Sequence, residues 1–321
     1  MITRNIWLGI GCGAAAGALW GLVFLAPELT RDFTPFQLAV ARYATYGFIS
    51  ALLIAPRWRA IVATLGFREW RALLWMSFVG NIIYFCLLGT GVQFGGVAMT
   101  SVVIGFLPVT VTLIGSRDQG AIPLRKLAPS LVLGTIGIIC ISIETPLQTI
   151  QGAAVERDEA TRLIGVAAAL GALVCWTAFA VANSRWLARV QHISGHDWNL
   201  LGGVVTGSLA LLCIAPAFLL APATHANEDW VRFLATAAGI ALAASIIGNM
   251  FWNLASRYLP LTLIGQMILF ETLFALLYGF LWEQRLPTTL EIAAIALLIM
   301  SVVLCVGAHR PDPPAVHPET A

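Results

Sequence analysis

LTLIGQMILFETLFALLYGFLW, residues Leu261–Trp282, is a single apolar run long enough to cross a bilayer as a helix. One carboxylate, Glu271, sits at its middle, and an amide, Gln266, lies five residues earlier. An acidic side chain at that depth costs about 2.5–3.5 kcal/mol on insertion scales. A cationic partner, a bound proton or a water-filled cavity must offset that cost. The other apolar segments are therefore expected to wall a polar cavity facing Glu271, through which a small solute passes.

Working outward, the composition supports a membrane setting. Of 321 residues, 59% are hydrophobic and only 11% charged, against roughly 25% charged in soluble domains. Mean hydropathy is +0.86. The net charge of +2 is too small, and its carriers too confined to short stretches between apolar runs, to form a nucleic-acid-binding face. Six cysteines all fall inside apolar runs, without a CxxC pair or a histidine at metal-ligand spacing. They read as small apolar side chains. No Walker A lysine motif, HExxH, Asp-rich pair or GxSxG is present, and all five histidines lie in loops or the tail. No cofactor, metal or enzymatic activity is expected.

Ten runs of spanning length are expected at 6–26, 35–55, 72–91, 94–115, 127–143, 163–184, 198–220, 232–254, 260–282 and 290–308. Lipid offers backbone groups no water, so the spans are helices or a closed barrel; continuous apolar runs rather than dyad alternation argue for helices. The N-terminal run has the look of a signal peptide, but its apolar helix continues to Ala26 and further spans follow, so it is an uncleaved first span. Ten spans place both termini on one side. The loops of that side hold twelve Lys and Arg against five opposite, which makes it cytoplasmic.

The longest connection, Glu144–Arg162, divides the spans five and five. Five is odd, so two similar halves insert in opposite directions, as in many secondary transporters. Short echoes agree: Ala15–Leu19 with Ala169–Leu173, and Val79-Gly80-Asn81 with Ile247-Gly248-Asn249. The sequence therefore predicts an all-α membrane protein of ten transmembrane helices in two inverted five-helix repeats, N and C termini cytoplasmic. Residues 1–146 form the first repeat, 147–162 an extracytoplasmic linker, 163–308 the second repeat and 309–321 a disordered cytoplasmic tail.

Several intramembrane residues carry the candidate chemistry. Glu271 either holds a substrate ammonium or exchanges a proton. Arg42 either snorkels to the outer headgroups or bonds carbonyls. Asn81 with Tyr84, and Asn249 with Trp252 and Asn253, share helix faces by their spacing. Each pair is an amide–aromatic patch for an amphipathic solute or an interhelical hydrogen bond. Trp20 and Trp176 sit within spans, whereas Trp7, Trp58, Trp70, Trp75, Trp186, Trp198, Trp230 and Trp282 fall near span ends as interfacial anchors. Gly9, Gly13, Gly17 and Gly21 form one face for tight packing or for rocking. Gln266 is a cavity group or a helix–helix bond, and Pro108 a kink beside a cavity.

With these features the chain resembles the drug/metabolite transporter superfamily, EamA type. Leu19-Trp20-Gly21 and Cys175-Trp176-Thr177-Ala178 resemble its W-G and W-A positions, Pro35 with Arg42 its P-x6-R pattern, and Phe274–Glu283 its acidic end of span 9. At Glu271 that family commonly has proline, as the first half has Pro108. In this departure the chain is similar to bacterial aromatic amino acid exporters. The resemblance implies a cavity lined by spans 1, 3, 4, 6, 8 and 9, with 5 and 10 behind and Arg42 in span 2 less central. The expected substrate site is then Glu271, Trp20, Asn81, Tyr84, Trp176, Asn249, Trp252 and Gln266. The expected activity is alternating-access export of aromatic and other neutral amino acids across the bacterial inner membrane, or of drugs and other metabolites through the same fold. Its partners are the lipid bilayer and a small-molecule amino acid, with no nucleic acid.

Overall fold

A computed structural model describes residues 2–95, 97–149, 159–220 and 225–309. The tail Pro311–Ala321 and most of the 147–162 linker lie outside the described residues. Every regular element among the described residues is helical. Among the described residues nine helices are long and apolar enough to cross a membrane. In the numbering used below they are α1 (Ile6–Leu25), α2 (Pro35–Val62), α3 (Phe67–Thr90), α5 (Leu124–Ile141), α6 (Glu159–Arg189), α7 (Gly195–Leu219), α8 (Asn227–Tyr258), α9 (Leu261–Glu283) and α10 (Thr289–Ala308).

The fourth apolar segment differs from the unbroken span expected at 94–115. It is two shorter helices, Val97–Ile104 and Leu107–Gly115, together called α4. The break falls at Gly105-Phe106, two residues before Pro108. Proline cannot donate its backbone bond and is tolerated at the first positions of a new helix, so the second piece starts there. Both pieces nevertheless follow α6 along its length. Gly95, just before α4, packs on Gly165, Thr110 bonds Thr177 at 2.8 Å, and Asp118, just after it, pairs with Arg185 at 2.9 Å. Twenty helical residues separate Gly165 from Arg185, about 30 Å of rise.

Local chemistry sets the helix starts. Thr34 accepts from the Gln37 backbone while the Gln37 side chain accepts from the Thr34 backbone, a capping box that opens α2 just before Pro35. Ser194 caps α7 through the Asp197 N–H, and Thr288 caps α10 in a second reciprocal box with Glu291. Arg285, in the α9–α10 loop, forks onto both Glu291 oxygens at 2.7 Å, and this bond raises its pKa above the ordinary guanidinium value.

The packing partners are α2 with α7, α5 with α10, α4 with α9, α1 with α8 and α9, and α6 with α3 and α4. α5 and α10 lie against each other and against the flanks of α4 and α9. α2 and α7 cross closely where a Cβ on Gly47 would stand 2.5 Å from Gly207 Cα; only glycine permits that approach. One end of the bundle holds the start of α1 at Gly9 beside Leu259, and the end of α10 at His309 beside Thr262. We call it the terminal face. There Trp198 departs from the interfacial role expected for it. It is 2% exposed, and its indole N–H donates to Asn183 Oδ1 at 3.1 Å. Asn183 in turn donates to Asn253 Oδ1 at 2.9 Å, and Asn253 to the Gly195 carbonyl at 3.0 Å. A buried indole with a polar partner is satisfied inside the protein and has no need of the headgroups.

Candidate functional site

Glu271 takes its direction from three neighbours of α9. The α1 glycines bring that helix flush against it: Gly13 meets Met267, Gly17 meets Phe270 and the Glu271 backbone, and Gly21 meets Phe274 and Ala275. On another side Gly265 lies against Pro108 and Thr112 of α4. On a third, Ser301 of α10 donates to Gln266 Oε1 at 3.0 Å, beside Ser130 of α5. The side chain of Glu271 is left to the remaining side, ten residues into a 23-residue helix. Among the described residues it has neither a hydrogen bond nor an ion pair, and it is only partly buried.

Arg42 and Tyr84 face it. The Arg42 guanidinium and the Tyr84 hydroxyl both lie within electrostatic reach of the Glu271 carboxylate, although α2 and α3 are not among the helices packed on α9. These side chains approach one another although their helices are not principal packing partners. Arg42 is steadied on its own side: its Nε–H donates to Ser245 Oγ at 3.1 Å, and its guanidinium lies 5.4 Å from the Tyr43 ring centroid. The other nitrogens of Arg42 and the hydroxyls of Tyr43 and Tyr84 have no hydrogen bond among the described residues. Four polar groups from α2, α3 and α9 thus line one mid-depth seam.

An aromatic wall stands beside this seam. Trp20, Trp176 and Trp252, from α1, α6 and α8, pack mutually at centroid distances of 5.0–6.3 Å. Trp20 is anchored by an N–H bond to the Ala244 carbonyl at 3.1 Å, and its ring rests on Gly248. Trp20 and Trp252 are buried, while Trp176 keeps accessible surface and carries Phe179 at 6.2 Å. The helices that bring these groups in are not regular. α3 widens to a π-helical turn over Phe78–Ile83, and α8 over Ala241–Gly248. Such turns concentrate at functional sites because they rotate side chains out of the α-helical register.

A comparison with curated proteins decides the family. The chain is 31% identical over 316 residues to the inner membrane protein YtfF of Escherichia coli strain K12, covering 95% of this chain and 97% of that one. The chain belongs to the YtfF family. It is a multi-pass protein of the inner membrane, as that likeness and the nine spanning helices together show. No family model matches it. The fold recurs in a protein of known crystal structure, with a TM-score of 0.69 at 17% identity, over 93% of this chain and 98% of that one.

For this YtfF-family chain, the structure sorts the expected site residues into groups. Glu271 and Tyr84 share the seam, and Trp20, Trp176 and Trp252 form the wall. Asn249 follows Gly248, on which the Trp20 ring rests, and lies near the Tyr46 hydroxyl, which donates to the carbonyl and Oδ1 of Asn199 at 2.7 Å. Two residues are drawn elsewhere. Gln266 is 1% exposed in the α5–α9–α10 contact; five residues of helix put it about 140° round the axis from Glu271. Asn81 donates to Thr206 Oγ1 of α7 at 3.1 Å. The π-helical turn breaks the α-helical spacing that was expected to align it with Tyr84. Arg42 moves the other way. The expectation had it snorkel to the outer headgroups or bond carbonyls, in a less central place; instead its Nε–H donates to Ser245 Oγ and its guanidinium lies within electrostatic reach of Glu271. Its signal was visible as one charge in an apolar run; its aim was not, because nothing in the sequence says which neighbour α2 turns toward. Two small clefts among the described residues leave out Glu271, so neither is the open cavity expected beside it; the larger of the two lies beyond Tyr43, lined also by Asn81, Phe85 and Cys213.

Proposed function

We propose that this chain is a secondary transporter or facilitator of the drug/metabolite transporter superfamily, EamA type, exporting neutral and aromatic amino acids, and that it performs transport and not catalysis. The observation that carries the reading is Glu271: a mid-depth carboxylate without a hydrogen bond among the described residues, beside Tyr84 and a tryptophan wall. An acid at that depth without a partner is costly. A solute ammonium satisfies it, and aromatic rings stack the rest of the solute at about 0.5–1.5 kcal/mol per pair.

The proposed architecture is ten crossings in two inverted five-helix repeats, with α4 as the tenth crossing and the terminal face in the cytoplasm. Helix pairing supports it. Exchanging each helix with the one five places along converts α1–α9 into α6–α4 and α1–α8 into α6–α3, and returns α2–α7, α5–α10 and α4–α9 to themselves. Two π-helical turns fall at nearby places in the two halves, one containing Gly80-Asn81 and ending at Ile83, the other ending at Gly248 just before Asn249. Rocking of these halves about the seam would give alternating access.

The test is efflux of labelled amino acids from proteoliposomes holding the wild-type chain or Glu271→Gln. Loss of efflux, or a changed substrate order, is expected. An unchanged rate and order would remove Glu271 from the site, and faster efflux of unrelated drugs than of any amino acid would favour the broader export reading.

A further inference from the structure

Resting on the amino acid reading above, we propose that the seam is a two-ended site for α-amino acid zwitterions: Arg42 takes the carboxylate and Glu271 the ammonium. The two side chains carry opposite charge inside the bundle yet are not an ion pair; they stand farther apart than the 4.0 Å of such a contact. In a low-dielectric interior, opposite charges within reach attract strongly. What keeps these apart is the scaffold. Arg42 is tethered by Ser245 and by the Tyr43 ring on the α2–α8 side. Glu271 is held on α9 by the glycine-to-backbone contact at Gly17.

Each charge is half of a complementary pair, and each has open bonding capacity. Among the described residues only the Nε–H of the Arg42 guanidinium is engaged in a hydrogen bond, which leaves its terminal nitrogens to fork onto a carboxylate. The Glu271 carboxylate is a pure acceptor, suited to an ammonium. A zwitterion lying between them, once the seam opens, satisfies both at once and carries no net charge. An amine lacking the carboxylate leaves Arg42 unpaired, and an acid lacking the amine leaves Glu271 unpaired. Because an unpaired buried charge is penalised, the site rejects both. The Tyr84 hydroxyl donates to the carboxylate end or accepts from the ammonium, and Trp176 lies beside the side chain.

The experiment is competition against labelled L-phenylalanine uptake in proteoliposomes. The competitors are unlabelled phenylalanine, 2-phenylethylamine, which lacks the carboxylate, and 3-phenylpropanoate, which lacks the ammonium. On the wild-type chain each one-ended compound should compete about 10- to 100-fold more weakly than phenylalanine, the worth of one charge-assisted bond. Arg42→Gln should weaken phenylalanine by the same factor and leave 2-phenylethylamine within about threefold, the noise of such comparisons. Arg42→Lys keeps the charge without the fork and should fall between. The inference is overturned if 2-phenylethylamine matches phenylalanine on the wild-type chain, an arm that needs no variant to fold. It is also overturned if Arg42→Gln depresses both compounds equally. If the wild-type chain carries phenylalanine without regard to the carboxylate, this inference alone falls. If it carries no amino acid at all, the transport reading falls with it.

Discussion

Replacing Gly17 by alanine tests whether the α1–α9 contact sets the position of Glu271. A Cβ at Gly17 would stand 2.5 Å from Phe270 Cβ and 2.8 Å from both Phe270 C and Glu271 N. Two of those three atoms are backbone, so α9 itself must retreat. Overpacking of this kind costs about 1–3 kcal/mol. Alanine also returns about 1 kcal/mol of helix propensity, and a control in the same helix isolates the clash. At Gly11 a Cβ meets nothing within 4 Å. Gly11→Ala therefore gains the propensity alone, and the difference between the two variants is the steric cost of about 1–3 kcal/mol. Gly13→Ala should lie between, because the atoms it meets, 2.8–3.0 Å away, belong to the Met267 side chain, whose flexible thioether end can swing aside. The assay is unfolding of the three purified variants in one detergent, followed by tryptophan fluorescence, with efflux measured alongside. Equal stability of Gly17→Ala and Gly11→Ala would refute the close contact and the account of how Glu271 is aimed.

Further outcomes follow at the terminal face. Asn253→Ala strands the Asn183 amide and the Gly195 carbonyl; denaturant unfolding should show a loss of about 1–3 kcal/mol, whereas loss of a solvated surface contact would show almost none. His309 donates from Nδ1 to the Cys305 carbonyl at 2.7 Å, so its unprotonated Nε2 accepts from the Thr262 hydroxyl at 2.8 Å. Burial holds its pKa below the ordinary imidazole value, against the opposing bond to Cys305. The folded chain then binds fewer protons than the unfolded chain, so this contribution is present above about pH 6.5 and is lost on acidification. Melting of the wild-type chain should therefore drop more than that of His309→Ala between about pH 7.5 and about pH 5.5. Parallel pH profiles would contradict it.

The membrane class, nine of the ten apolar segments and the carboxylate at the centre of α9 were legible in the sequence. Each depends on properties local to a stretch of chain: the length of an apolar run, the transfer cost of a charge, the capping chemistry of Thr34, Ser194 and Thr288. The glycine spacing in α1 likewise announced a close contact, because four-residue steps stay on one side of a helix. Which helix it would touch was not written there.

Tertiary structure decided the remainder. Three π-helical turns among the described residues (Phe78–Ile83, Gly91–Gly95 and Ala241–Gly248), one broken helix and the rotation of each span about its axis determine which side chains meet, and none of these follows from hydrophobicity when almost every face is apolar. Gln266 and Arg42 show the consequence. Both are polar groups in apolar runs, and the sequence assigned the first to the site and set the second aside. Packing set their partners, since the direction a side chain takes from a nearly uniform helix is fixed by its neighbours: Ser301 of α10 holds Gln266, and Ser245 of α8 tethers Arg42 short of an ion pair with Glu271.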